Sequence, residues 1–180
     1  MAFTRQGEKK MKNKLPDLLT ASRGIIAATI ISLGFVGQGV LEFVILLIVI
    51  GWTTDILDGR LARRYKKGPT WVGEREFGFD MLMVFSSLCY LVMAGFIPFI
   101  PAAIYIAVAA AFIAYFRSKS VTMSFACPLA ALPIIVAYFN APRAAWGFII
   151  WIALSLILDW HRFKEVVRTF IKNAKALQKR

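Results

Sequence analysis

Charge is scarce in this 180-residue chain, and what there is lies in clusters. Only 18% of the residues are Asp, Glu, Lys or Arg, against roughly 25% in an average soluble domain. Residues 81–116 and 120–142 carry no charge at all. A bilayer-spanning helix needs about 20 predominantly apolar residues, so these runs exclude a soluble globule and a disordered chain. Cysteine is equally sparse, with two residues, which excludes a secreted disulfide scaffold. Cys89 and Cys127 each sit in an apolar stretch without a liganding neighbour at zinc-site spacing, and read as small packing residues. The one histidine, His161, lies between Trp160 and Arg162 and reads as an interfacial residue, not a catalyst. Acidic residues number 10 against 22 Lys and Arg, for a net charge of +12. The basic residues collect at the ends of apolar runs instead of forming a patch on a folded surface, so nucleic acid is not the expected partner.

What is present is an apolar chain, 59% hydrophobic, punctuated by Gly and Pro. The punctuation predicts six spans, at about 18–36, 40–57, 77–96, 102–116, 121–139 and 144–158. Gly37-Gln38-Gly39, Pro98 with Pro101, and Asn140-Ala141-Pro142 supply the breaks, since Pro lacks an N–H donor and restricts the residue before it. The expected fold is therefore an all-α integral membrane protein of six transmembrane helices. A basic N-terminus, 1–17, precedes a membrane domain, 18–159. A basic tail, 160–180, has Phe163, Val166, Val167, Phe170 and Ile171 at helical spacing. That tail is expected to lie on the interface as an amphipathic helix, drawn by anionic membrane lipid. With six spans, every Lys and Arg except Arg143 falls on one side, and the positive-inside rule puts that side, with both termini, in the cytoplasm of a multi-pass plasma-membrane protein. Trp52, Trp146, Trp151 and Trp160 read as packing or interface aromatics. Gly24, Gly34 and Gly51 are expected to let helices pack closely.

Carboxylates at the ends of such spans are costly and are candidates for function. Asp55 and Asp58 lie three apart at the end of the second span, and Glu76 and Asp80 lie four apart at the start of the third. Each pair therefore occupies one helical face. Four carboxylates meeting at one depth repel one another unless something positive sits among them. Hard divalent cations with oxygen ligands answer that need, and Mg²⁺ in particular binds through carboxylates together with substrate phosphates. Gly59, next to Asp58, is an unfavourable helix residue by about 1 kcal/mol, which suits close approach of a ligand to the backbone.

These residues resemble the signature of the CDP-alcohol phosphatidyltransferases, D-x2-D-G-x2-A-R-x8-G-x3-D-x3-D. Asp55, Asp58, Gly59, Ala62 and Arg63 match every defined position of its first half. The second half keeps the spacing, with Val72 in the glycine position and Gly73 one place late, and with Glu76 replacing an aspartate ahead of Asp80. Leu15-Pro16-Asp17-Leu18-Leu19-Thr20-Ala21-Ser22-Arg23 is similar to the family's entry into its first helix, nearest to the phosphatidylglycerophosphate synthase branch.

The resemblance implies phospholipid biosynthesis, with a cytoplasm-facing site that moves a phosphatidyl group from a CDP-linked lipid such as CDP-diacylglycerol to an alcohol, releasing CMP. It implies that Asp55, Asp58 and Glu76, with Asp80 touching the site, hold two divalent cations, Mg²⁺ or Mn²⁺. Asp80 is then the catalytic base. Gly59 and Ala62 admit the CDP moiety, Arg63 holds phosphate charge, and a homodimer is expected. Arg117, Lys119 and Arg23 are candidates for binding a small polar or phosphorylated acceptor. Two alternatives remain open at this level. One is a catalytically impaired relative that binds CDP-lipid without turnover. The other is an intramembrane prenyltransferase acting on metal-bound diphosphate.

Overall fold

The computed structural model describes the backbone of residues 2–64, 76–160, 164–165, 167–169 and 171, with side chains from 18 to 61 and, within those ranges, from 77 onward. Helices account for the regular structure, and no strand occurs among the described residues. In chain order they are α1 (Ala2–Leu33), α2 (Leu41–Arg64), α3 (Glu76–Met93), α4 (Phe99–Phe116), α5 (Lys119–Asn140) and α6 (Pro142–Leu158), with a short 3-10 turn at Gln38–Val40. Among the described residues, Gln38–Leu61, Phe99–Phe116 and Lys119–Asn140 are long and apolar enough to cross a bilayer. Shorter apolar segments, Leu18–Leu33, Phe77–Met93 and Pro142–Leu158, coincide with the other three expected spans.

Most helix ends fall within three residues of the expected boundaries, and two do not. Backbone helix begins at Ala2, not near residue 18, and α2 runs on to Arg64 past the apolar run that ends at Leu57. Hydropathy marks where a helix leaves apolar surroundings, whereas helical hydrogen bonding continues as long as good helix formers such as Lys, Met, Leu, Arg and Ala supply the chain. Asp55 and Asp58 consequently sit inside α2, more than a turn from its end. In the tail, Trp160, Lys164, Glu165, residues 167–169 and Ile171 are helical. Lys164 Nζ lies 5.4 Å from the centre of the Trp160 ring. His161, Phe163, Val166 and Phe170 lie outside the described residues.

The chain divides into two units, Met1–Phe96 and Ile97–Arg180. In the first, α1 packs against both α2 and α3. Its core is apolar along most of its length, with Ala27, Ile30, Val44, Ile48, Leu88 and Leu91 buried. Three small residues set the spacing. A Cβ at Gly24 meets the Phe79 ring at 3.2 Å, one at Gly34 meets Met93 Cβ at 2.9 Å, and one at Gly51 collides with the end of the Met83 side chain. All three expected close-packing glycines thus face α3. The turn after α1 carries Gly37 at φ 94°, and the buried Tyr90 hydroxyl donates to the Gly37 carbonyl at 3.2 Å. This pins α3 to the α1–α2 connection.

Gly34→Ala is expected to destabilise the first unit by about 1–3 kcal/mol, because neither the Met93 Cβ nor the Ile31 carbonyl at 3.0 Å can swing away. Gly51→Ala costs less, since the opposing Met83 thioether end is flexible. Thermal unfolding of the two variants in detergent checks the order. Equal melting temperatures would mean that α1 and α3 separate freely at Gly34.

In the second unit, α5 contains Pro128 and Pro133. Each removes a backbone donor, which leaves the carbonyl four residues earlier without its usual helical partner. Nearby, the Tyr105 hydroxyl of α4 donates to the Phe125 carbonyl of α5 at 2.8 Å, and the two rings meet edge to face. Phe112 also packs on Phe125, with ring centres 5.6 Å apart.

A carboxylate cluster closed by an arginine

One end of the three-helix unit is polar. Thr20 and Arg23 of α1 are three residues apart and share a face, and both are buried, Arg23 to 1% exposure. Asp55 and Asp58 reach the same point from α2, and Asp80 reaches it from α3. Arg23 Nη1 donates to Asp55 Oδ1 at 2.5 Å and also to Asp80 Oδ1. Arg23 Nη2 donates to Asp58 Oδ2 at 2.6 Å and lies 3.3 Å from the Thr20 hydroxyl. The Thr20 hydroxyl in turn donates to Asp58 Oδ2 at 2.8 Å.

The guanidinium thus has two unlike ends. Its Nη2 end is dry, against Thr20 and Asp58, the latter 3% exposed. Its Nη1 end faces the two open carboxylates, Asp55 at 32% and Asp80 at 36% exposure. A guanidinium is costly to bury unless carboxylates surround it, and this one is met by carboxylates from two different helices. Its planar fork of N–H donors suits that task in a way that a lysine ammonium does not.

The expected convergence of the carboxylate pairs is therefore present for three of the four residues. Glu76 is the first residue of α3, one helical turn before Asp80, but its side chain lies outside the described residues, as do those of Ala62 and Arg63 and the whole of Val72 and Gly73. Gly59 lies on α2 beside Asp58 and is partly exposed. Arg117 and Lys119 belong to the second unit, where Arg117 caps α4 in the left-handed region at φ 45° and both side chains are exposed. Arg23, on sequence a candidate acceptor contact like them, is the buried centre of the acidic cluster. Thr20 was not singled out. The signal that finds both is the polar Thr20/Arg23 pair at helical spacing on the otherwise apolar entry into α1.

The sequence called for a positive group among the carboxylates and assigned that part to metal. In the structure Arg23 fills it, and no three acidic, His or Cys side chains among the described residues surround a common metal position. The donor set nonetheless suits a hard divalent cation. Among the described side chains it offers carboxylate oxygens from two helices, and two of the three groups are open to solvent.

An all-helical membrane protein with an acidic cluster at one end of its first three apolar helices is the class that fold and site define together. The chain belongs to the CDP-alcohol phosphatidyltransferase family, which it matches over residues 13–159. No curated protein and no solved structure matches it significantly. Membership makes it an integral membrane transferase of phospholipid biosynthesis, using a CDP-alcohol donor and an alcohol acceptor.

Proposed function

We propose that this protein transfers a phosphatidyl group from a CDP-linked lipid such as CDP-diacylglycerol to the hydroxyl of a small polar or phosphorylated alcohol, releasing CMP at the cytoplasmic face of the plasma membrane. The observation that supports this reading is the meeting of Asp55, Asp58 and Asp80, from two helices and across 22 or more residues of chain, at one end of the unit.

Asp55, Asp58 and Glu76, with Asp80 at the edge, are the residues that would hold two divalent cations, Mg²⁺ or Mn²⁺. When bound, such ions neutralise the donor diphosphate and activate its phosphorus toward attack. The protein's own part is placement. Asp80, open to solvent and steadied by Arg23, accepts the proton of the acceptor hydroxyl. The acceptor oxygen forms a bond to the lipid-bearing phosphorus, the bond from that phosphorus to the oxygen of CMP breaks, and CMP leaves. Gly59 and Ala62 present a side-chain-poor face of α2 to the nucleotide, and Arg63 offers charge to phosphate. Arg117 and Lys119 are the candidates for a phosphorylated acceptor such as glycerol 3-phosphate, which the similarity at residues 15–23 favours. The apolar helices hold the diacylglycerol tails in the bilayer, and a homodimer is the expected assembly.

Purified protein in nanodiscs, given CDP-diacylglycerol, Mg²⁺ or Mn²⁺ and a pool of polar alcohols, is expected to release CMP in a metal-dependent way and to form a lipid product that names the acceptor. Binding of CDP-lipid without CMP release would make this a non-catalytic relative. Release of diphosphate from a prenyl donor would replace the reading altogether.

A further inference from the structure

We propose that Arg23 is an exchangeable internal counter-ion of the acidic cluster: its Nη1 end yields Asp55 and Asp80 to a divalent cation, while its Nη2 end stays with Asp58 and Thr20. The inference rests on the reading of these carboxylates as the metal ligands, and deepens it.

Three observations carry it. The two carboxylates on Nη1 are the solvent-open ones, at 32% and 36% exposure, so an ion arriving from water meets them first. Nη2 is held at the dry end by two partners that also bond each other, the Thr20 hydroxyl and Asp58 Oδ2, 2.8 Å apart. Finally, α1 is anchored against α3 at Gly24, the residue next to Arg23, where the Phe79 ring leaves only 3.2 Å for a Cβ. That contact seats the backbone beside Arg23 directly on α3, and the exchange is placed at the guanidinium, the part of the residue that touches the carboxylates.

A cation and the guanidinium draw on the same carboxylate oxygens, and like charges at such distances repel. Arg23 then has two opposite effects. It keeps the carboxylates together when no metal is bound, and it weakens the metal's hold when one is. A site so arranged stays folded between turnovers and holds its cations loosely.

The test is Mn²⁺ binding, read by electron paramagnetic resonance of the free ion, on wild-type protein, Arg23→Gln and Arg23→Lys in nanodiscs. Arg23→Gln is expected to bind Mn²⁺ about tenfold or more tightly than wild type and to melt at a lower temperature in EDTA, with Mn²⁺ restoring most of the difference. Folded Arg23→Gln that binds Mn²⁺ no more tightly than wild type overturns the proposal. If Arg23→Gln does not fold even with Mn²⁺, Arg23→Lys decides, because one ammonium cannot span the carboxylates of both helices as the fork does. Tighter Mn²⁺ binding by the lysine variant supports exchange, and binding equal to or weaker than wild type sinks it. Absence of Mn²⁺ binding by wild type and by both folded variants alike would instead remove the metal-ligand reading itself, which separates that failure from a failure of the exchange, where wild type binds Mn²⁺ and the variants bind it no more tightly.

Discussion

Replacing Asp80 by Asn is expected to lower CMP release by about 10²–10⁴-fold, the usual contribution of a positioned base, while the protein stays folded. The asparagine carbonyl can still accept the hydrogen bond that Arg23 Nη1 gives to Asp80 Oδ1. It cannot take a proton from an acceptor hydroxyl. Because Asp80 is partly open to solvent, the substitution leaves no buried group stranded and the loss falls on chemistry. The measurement is CMP release at saturating Mn²⁺, with size-exclusion and circular dichroism profiles matching those of wild type. Equal release from both proteins would remove Asp80 from proton transfer and leave Glu76 as the acidic residue to examine next.

Asp58 is expected to answer differently, through stability as well as activity. Asp58→Ala should cost about 3–5 kcal/mol, the range seen when one partner of a buried ion pair is removed, and should abolish turnover. Its carboxylate is 3% exposed and receives both Arg23 Nη2 and the Thr20 hydroxyl. Truncation strands a guanidinium and a hydroxyl in a dry pocket. Asp55→Ala makes the control, because Asp55 is 32% exposed and water replaces part of what it gives up, so its cost lies nearer the range of about 0–1 kcal/mol for exposed pairs. Unfolding of the two variants by heat or SDS, in the absence of metal, measures the gap. If Asp58→Ala melts with Asp55→Ala, the Arg23–Asp58 contact is not what ties α1 to α2.

The same contrast defines what a sequence of this kind discloses. The long uncharged runs and the Gly and Pro breaks were enough to delimit six apolar helices, since a bilayer has no alternative partner for a backbone N–H or C=O and the helix must follow the apolar run. The spacing of Asp55 with Asp58 and of Glu76 with Asp80 was enough to put each pair on one face, because 3.6 residues per turn is a local property. The glycines that would sit against a neighbour were also legible in kind, although not the neighbour, which proved to be α3 in each case.

Two things were not legible, each for its own physical reason. Hydropathy gave no warning that α1 reaches back to Ala2 or that α2 extends through Asp58 to Arg64, because it records the surroundings of side chains and not the hydrogen bonding of the backbone. Nor did the position of Arg23 in the chain, 32 residues from Asp55 and 57 from Asp80, say that it would stand between them. Periodicity assigns a residue to a face of its own helix; which faces meet is decided by packing, here by α1 seated on both α2 and α3 with glycines at the contacts. The composition and the motif by themselves determined an all-helical membrane protein with carboxylates at the ends of its apolar runs. Only the tertiary structure decided that the charge closing that site is an arginine from the first helix, since a buried guanidinium finds its carboxylates through space and leaves no pattern along the chain.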